Sequence, residues 1–172
     1  MNEIINGIIT RRSCKKFKPD MVPTEIMDQI IEAGLFAASG KGSQAPIIIA
    51  ITDKETRDKM SCLNAKYLGT KADPFYGAPI ALAVLVEKSV PTGIYDGSLV
   101  LGNMMLAAHS LGIGSCWIHR AKQSFEDEEG KELLKKLGIE GDYEGIGYCV
   151  IGYSATDNSR IIPRKENRVF RI

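Results

Sequence analysis

The sequence is poor in the residues that bind transition metals. Its 172 residues include four cysteines and two histidines, and no Cys-x-x-Cys pair occurs. Structural zinc sites need several such ligands at short, regular spacings, so no metal site is expected. Cysteines without a disulfide pattern are typical of a reducing compartment. We therefore expect the four thiols to be reduced core residues and the protein to be cytoplasmic.

Long apolar runs and a dominant charge are also missing. The longest apolar runs, such as 79–86, are far below the roughly 20 residues that cross a bilayer. Residues 1–10 carry Glu3 where a secretory signal would be positively charged. The formal net charge is +1, so no overall field favours nucleic acid or an acidic membrane surface. We expect neither a membrane segment nor a nucleic-acid partner, and any charge-based function must be local.

Composition and periodicity predict a single domain over residues 1–172. Hydrophobic residues make up 44% of the chain and charged residues 25%, as in ordinary globular proteins. Helical periodicity and start signals predict helices at 2–10, from 24 to near 39–42, from 53 to about 67, at 99–111 and at 126–137. Apolar and β-branched runs predict strands at 47–52, 80–86, 114–119 and 145–153. Because strands and helices mix without regular βαβ spacing, the expected fold class is α+β.

Several residues in these elements carry specific predictions. Thr24 is expected to cap the second helix. The helix at 99–111 is introduced by Asp96-Gly97-Ser98, and Gly112 is expected to end it as a C′ glycine. This helix is apolar on nearly every side, which predicts burial at the domain centre or in a subunit interface. Trp117 is expected to pack from a buried strand.

A cluster of cations follows the first helix. The segment 11–18 holds five of them in eight residues: Arg11, Arg12, Lys15, Lys16 and Lys18. Like charges this close repel one another unless solvent or an anion separates them. Guanidinium groups bind two phosphate oxygens at once, Ser13 can donate a hydrogen bond, and lysine adds a point charge. The segment therefore suits a phosphate monoester, although a solvated basic stretch or a nucleic-acid patch has the same composition.

A second group of cations lies at the other end of the chain: Arg160, Arg164, Lys165, Arg168 and Arg171. Pro163 fixes the backbone before Arg164 and can direct that side chain. Chain termini often lie close together in a folded domain. If they meet here, both groups can enclose one phosphate.

The order of six short motifs resembles the nitroreductase family. The first is Arg-Arg-Ser-x-Lys-x-Phe, and the others run through nearly the whole chain in the family's order: 11–17, 39–46, 73–79, 107–118, 147–153 and 163–165. The resemblance implies an α+β fold with a central mixed, mainly antiparallel sheet flanked by helices. It also implies an intertwined homodimer that holds FMN at its interface. NADH or NADPH would reduce the flavin, and a small-molecule acceptor, such as a nitroaromatic or a quinone, would then reoxidise it in the same cleft.

The same resemblance implies a set of site residues. Arg11, Arg12, Ser13 and Lys15 would contact the flavin phosphate, the ribityl chain and the nearby ring edge, with Arg164 closing on the phosphate. Asn64 would hydrogen-bond the flavin ring. The partner subunit would supply a loop comprising Ser39, Gly40, Gly42, Ser43 and Gln44. The chain beside the ring would offer backbone N–H groups, from Ile118, His119 and Arg120.

The flavin carries the difficult chemistry in such enzymes, so no catalytic triad is needed. The candidates for a direct role are Lys15, which would stabilise the anionic reduced flavin, and His119, whose side chain would lie near the ring. The chain departs from the family pattern at Gly42, where asparagine is usual, and at Ala45-Pro46, where Pro-Trp is usual. These departures affect the expected acceptor pocket more than flavin binding.

Two other functions fit the sequence. The same scaffold and cofactor can serve other flavin chemistry, such as reductive dehalogenation or flavin destruction. A non-enzymatic protein could instead use the segment 11–18 to hold nucleic acid or another anion. A yellow purified protein that releases flavin on denaturation would separate flavin binding from the second alternative.

Overall fold

The computed structural model describes residues 2–157 and 160–172, and it has the predicted α+β architecture. Within these residues, six helices and four strands follow one another as α1 Glu3–Thr10, α2 Thr24–Leu35, β1 Ile47–Ile51, α3 Lys54–Leu68, β2 Ile80–Glu87, α4 Gly93–Ser110, β3 Gly114–Ile118, α5 Ala121–Glu126, α6 Glu128–Lys136 and β4 Tyr143–Gly152. A single 3-10 turn at Gly40–Gly42 precedes β1. None of the helices in the described ranges has the length and hydropathy needed to cross a bilayer.

The four strands form one sheet in the order β1-β2-β4-β3, and each neighbouring pair is antiparallel. A single parallel bridge joins Ser13 to Ser115 of β3, at the edge of the sheet. The expected mainly antiparallel sheet is therefore confirmed, with its parallel part limited to that bridge. The bridge matters for the site because it attaches the basic segment to β3.

The core lies on both faces of the sheet, because β2 alternates its side chains between them. Its odd-numbered residues from Ala81 to Leu85 belong to a cluster with α3, α5 and α6. Its even-numbered residues from Ile80 to Val86 belong to a cluster with α2 and α4. Burial on both faces explains why this strand is an unbroken apolar run in the sequence.

Helix ends follow the signals in the sequence at several places. Asn2 caps α1 by accepting from the Ile4 N–H at 2.9 Å, and Asp53 caps α3 by accepting from the Thr56 N–H at 2.8 Å. Gly112 follows α4 with φ +73°, the left-handed conformation of a C′ glycine. The predicted helix starts and ends at Asp53 and Gly112 are confirmed, and the cap at Asn2 is an additional finding.

Other element boundaries differ from the prediction. Thr24 is the first helical residue and Pro23 occupies the cap position, and α2 already ends at Leu35. Helix α4 begins at Gly93, so Asp96 lies inside its first turns rather than in a preceding turn. The helix predicted at 126–137 is α6, which begins at Glu128 after its N-cap Asp127, and the short helix α5 before it was not predicted.

Three side chains are less buried than predicted. Trp117 is 37% exposed on β3, and Leu99 on α4 is 50% exposed. Cys62 is exposed, whereas the other three thiols are buried core residues. The outward side of α4 thus leaves apolar surface uncovered in the single chain, and its placement in a subunit interface stays a prediction.

Candidate functional site

The basic segment is fixed in an extended conformation between two parts of the sheet. The Cys14 N–H donates to the Ser115 carbonyl at 2.8 Å, and the Lys18 N–H donates to the Tyr153 carbonyl at 2.8 Å. Cys14 is buried, while the neighbouring Ser13 and Lys15 are exposed, as alternation along an extended chain requires. The polar side chains of the segment are therefore held on its outer face by a rigid backbone.

The two basic groups meet at a cavity of about 650 Å³. The Arg12 Nε donates to the Arg160 carbonyl at 2.9 Å, so the beginning of the chain contacts its C-terminal tail directly. The described residues that line the cavity are Arg11, Arg12, Ser13, Lys15, Asp157, Arg160, Ile162 and Arg164. This set has five cations and one carboxylate, so the cavity is strongly positive.

Two guanidinium nitrogens in this cluster are buried and lack a partner. The Arg11 Nη1 and the Arg12 Nη2 make no hydrogen bond within residues 2–157 and 160–172. The other Arg12 nitrogens are paired: Nη1 donates to the Ile9 carbonyl at 2.8 Å and Nε to the Arg160 carbonyl. Because a buried N–H donor without an acceptor costs free energy, these two groups point to an anion that accepts from them. A phosphate group supplies the oxygens and the negative charge that they need.

The positive field reaches His109, at the back of the cluster. Burial together with the charges of Arg11 and Arg12 lowers the pKa of His109. The Thr10 hydroxyl donates its hydrogen to the Asn6 carbonyl at 2.7 Å, and its oxygen lies 2.9 Å from His109 Nε2. That hydroxyl must therefore accept from Nε2–H, and the lowered pKa favours the neutral form with its hydrogen on Nε2. His109 thus joins α4 to α1 as a neutral residue, without adding another cation.

Another part of the predicted site lies where β3 ends. Asn64 on α3 is fully buried, and its Nδ2 donates to the His119 carbonyl at 2.6 Å. The Asn64 Oδ1 is buried without a hydrogen-bond partner in the described ranges. Ile118 is buried, the His119 side chain is exposed, and Arg120 has φ +72°. The left-handed Arg120 turns the chain away from the sheet directly after Ile118, the last residue of β3, and His119 and Arg120 lie outside the strand.

The predicted partner loop forms a separate rigid unit between α2 and β1. The Gly40 N–H donates to the buried Asp96 Oδ1 at 3.0 Å, and the Gln44 N–H donates to the Ser39 Oγ at 3.0 Å. A Cβ on Gly40 would lie 2.4 Å from the Thr92 Oγ1, so only glycine fits there. The loop has left-handed backbone at three positions: Lys41, Gly42 and Gln44. No residue of this loop lines the basic cavity of the same chain.

The prediction from sequence missed Tyr76, which lies beside the cavity. The Lys15 Nζ is 6.0 Å from the centroid of the Tyr76 ring. Tyr76 has φ +57°, which is unusual for a large aromatic residue. Tyr76 belongs to the segment 73–79, one of the six motifs by which the sequence resembles the nitroreductase family. The motif could therefore be seen in the sequence, but the contact between Tyr76 and Lys15 could not.

These features define a class of protein: an α+β domain in which the two ends of the chain line a positively charged cavity. The sequence model of the nitroreductase family matches residues 8–153. The chain therefore belongs to the nitroreductase family, and the resemblance noted in the sequence is confirmed.

Individual relatives agree with this assignment. An FMN reductase [NAD(P)H] from Bacillus subtilis is 30% identical over 95% of this chain and 70% of that protein. An NADPH-flavin oxidoreductase from Vibrio harveyi is 29% identical over 72% of this chain, which spans 56% of that protein's length. The crystal structure of a nitroreductase with bound FMN from Bacteroides fragilis has a TM-score of 0.88 and 26% identity, and the match covers 100% of both chains. The nitroreductase fold follows from this likeness.

Proposed function

We propose that this protein is an FMN-dependent oxidoreductase that takes electrons from NADH or NADPH and passes them to a small electron-poor acceptor. The observation that carries the proposal is the pair of buried, unpartnered guanidinium nitrogens on Arg11 and Arg12. They lie in a positive cavity where the two ends of the chain meet. Names of relatives that include FMN and NAD(P)H support the same cofactor and donor.

The residues of the basic cavity fit the phosphate end of FMN. Arg11 and Arg12 would donate to phosphate oxygens from the nitrogens that lack partners, and Ser13 would donate from its exposed hydroxyl. Arg164 lines the same cavity on the C-terminal tail and would close on the phosphate from the opposite side. Because Arg12 also donates to the Arg160 carbonyl, the tail is already held in place before a ligand binds.

The residues at the end of β3 fit the ring end of the same cofactor. The buried Asn64 Oδ1 can accept a hydrogen bond, and the bend where the chain leaves β3 can offer backbone N–H groups, from Ile118, His119 and Arg120. Lys15 would place its ammonium group near the ring edge, where it stabilises negative charge. His119 is the second candidate for a direct role, since its side chain is exposed beside this bend. When bound, FMN supplies hydride and electron transfer, and the protein orients it.

The proposal includes a homodimer in which the partner provides the loop 39–44. Helix α1 has no buried residue in the single chain. Its four isoleucines are between 42% and 68% exposed, and Phe170 in the tail is 87% exposed. Apolar surface of this extent marks an interaction face. The loop is rigid and lines no part of the basic cavity of its own chain. In a dimer, it would instead contribute to the flavin site of the partner subunit.

The nature of the acceptor depends on this partner loop. Gly42 and Pro46 are smaller than the asparagine and tryptophan of the family pattern, so the space over the flavin would be wider than in family members that have those residues. Nitroaromatics and quinones are the proposed acceptors, in a ping-pong cycle. The four free cysteines support a reducing compartment, and the cytoplasm is the proposed location.

The test combines flavin analysis with anaerobic turnover. The purified protein should be a yellow dimer that releases FMN on denaturation. NADH or NADPH should bleach the flavin without oxygen, and a nitroaromatic or a quinone should restore the colour. Recovery only with a halophenol would instead favour dehalogenation. A colourless monomer that takes up no FMN, yet binds RNA with a steep salt dependence, would overturn the proposal.

A further inference from the structure

The turn that follows α3 is built around one carboxylate. Asp73 accepts from the backbone N–H groups of Phe75 and Gly77, both at 2.8 Å. The buried Arg57 donates to the same carboxylate at 2.6 Å, and Ser61 donates to it as well. Four donors to one side chain fix the backbone of residues 73–77. The turn is therefore a rigid platform rather than a loose loop.

This platform holds Tyr76 in a conformation that its side chain disfavours. Tyr76 has φ +57°, and the following Gly77 has φ +76°. Positive φ is easy for glycine and tolerated by asparagine, but a bulky residue is strained there. The Tyr76 side chain is also 37% exposed, so core packing does not account for the choice of tyrosine. Strain of this kind persists where the surrounding structure imposes it, and it often marks functional positions.

The partner of the Tyr76 ring is Lys15. The Lys15 Nζ lies 6.0 Å from the ring centroid, at the edge of the range for a cation–π contact. Lys15 also lines the basic cavity, where Arg11, Arg12 and Arg164 repel its ammonium group. The negative face of the aromatic ring attracts that group, whereas the arginines repel it. The ring thus opposes the repulsion and keeps Lys15 directed along the edge of the cavity.

We propose that Tyr76 is a positioning residue, which holds the Lys15 ammonium group where it meets the FMN ring edge instead of the phosphate. The inference rests on the proposed function. It assigns a role to the 73–77 motif and explains why a strained tyrosine stands where asparagine or glycine would fit more easily. Tyr76 acts through Lys15 and is not itself required to contact the flavin.

The experiment is a double-mutant cycle on the whole protein, with FMN as the probe. Tyr76→Asn removes the ring and relieves the strained backbone, and Tyr76→Phe keeps the ring at the same position. Lys15→Met removes the ammonium group while retaining most of the side-chain length. For each variant, alone and in the Lys15→Met background, we would measure the FMN dissociation constant, the rate of flavin reduction by NADH or NADPH, and the Tm.

The expected result is that Tyr76→Asn slows flavin reduction and raises the FMN dissociation constant by about two- to fivefold, which is the scale of an exposed cation–π contact. Its Tm should stay level or rise, because the backbone strain is relieved, and Tyr76→Phe should behave as the native protein. In the Lys15→Met background the tyrosine change should have no further effect. A full effect of Tyr76→Asn in that background would overturn the inference, as would equal losses in Tyr76→Phe.

Failure of the proposed function gives a different result. If native protein and Lys15→Met both take up no FMN, the cavity does not serve a flavin and the function itself is refuted. If Lys15→Met weakens FMN binding but Tyr76→Asn does not, the function stands and the positioning role of Tyr76 is wrong.

Discussion

Replacing Arg11 by glutamine should weaken FMN binding without weakening the fold. The Arg11 Nη1 is buried and has no hydrogen-bond partner in the described parts of the chain. Without a ligand, this one buried N–H group has no acceptor and lies beside other positive charges, which costs stability rather than adding it. Glutamine keeps part of the side chain and removes the charge. The free energy of unfolding of the ligand-free protein should therefore stay the same or rise slightly.

The loss of affinity follows from the bond that Arg11 is proposed to make. A hydrogen bond to a charged group contributes about 1.5 to 3 kcal/mol. Losing one such bond to the phosphate raises the dissociation constant by about 10- to 150-fold. Arg12→Gln should lose both affinity and stability, since Arg12 also donates to the carbonyls of Ile9 and Arg160. The specific prediction is that Arg11→Gln loses only FMN affinity, whereas Arg12→Gln loses both FMN affinity and stability.

The assay is fluorescence titration of FMN at fixed ionic strength, paired with urea unfolding of the flavin-free protein. Lys18→Gln is a matched control, because it removes the same charge from an exposed side chain that does not line the cavity. It should change FMN affinity by less than about threefold, as a screened distant charge would. Equal losses for Arg11→Gln and Lys18→Gln would refute the reasoning, and so would a clear loss of stability in Arg11→Gln.

Two further predictions concern the scaffold. A Cβ at Gly130 would lie 2.0 Å from the Ser124 carbonyl oxygen. Gly130→Ala should therefore lower the free energy of unfolding, measured in urea, by at least about 2 kcal/mol. A decrease below about 0.5 kcal/mol would contradict the packing of α6 on α5. Hydrogen bonds from Lys66 and Tyr67 lower the pKa of Asp127 to about 2, so its stabilising effect should persist at neutral pH and disappear as pH falls through that value. Nuclear magnetic resonance should show that the Asp127 pKa rises in Lys66→Met. An unchanged pKa would contradict the ion pair between Lys66 and Asp127.

Much of the lining of the basic cavity could be predicted because these residues are local in the sequence. Arg11, Arg12 and Ser13 are consecutive, and guanidinium groups without nearby acids already indicate an anion. Their convergence with Arg164 required only that the chain ends meet. The structure adds what the sequence cannot contain, namely which guanidinium nitrogens are left without partners after folding.

The remaining features depend on tertiary contacts between distant residues. Asp96-Gly97-Ser98 has the composition of a turn, but the Asp96 carboxylate is buried and accepts from the Gly40 N–H, and α4 runs through it. The hydrogen bond from Asn64 to the His119 carbonyl joins residues 55 positions apart. Tyr76 reaches Lys15 only because the Asp73 turn folds in one way. No local pattern specifies these pairs, so periodicity and motif spacing could not predict them.

The most direct measurement compares FMN with riboflavin, which lacks the phosphate, in titrations of the flavin-free native protein. If the two ends of the chain enclose the phosphate, FMN should bind at least about 100-fold more tightly, as two charge-assisted hydrogen bonds of about 1.5 kcal/mol each would give. Riboflavin affinity within about threefold of FMN affinity, or no binding of either, would contradict the account.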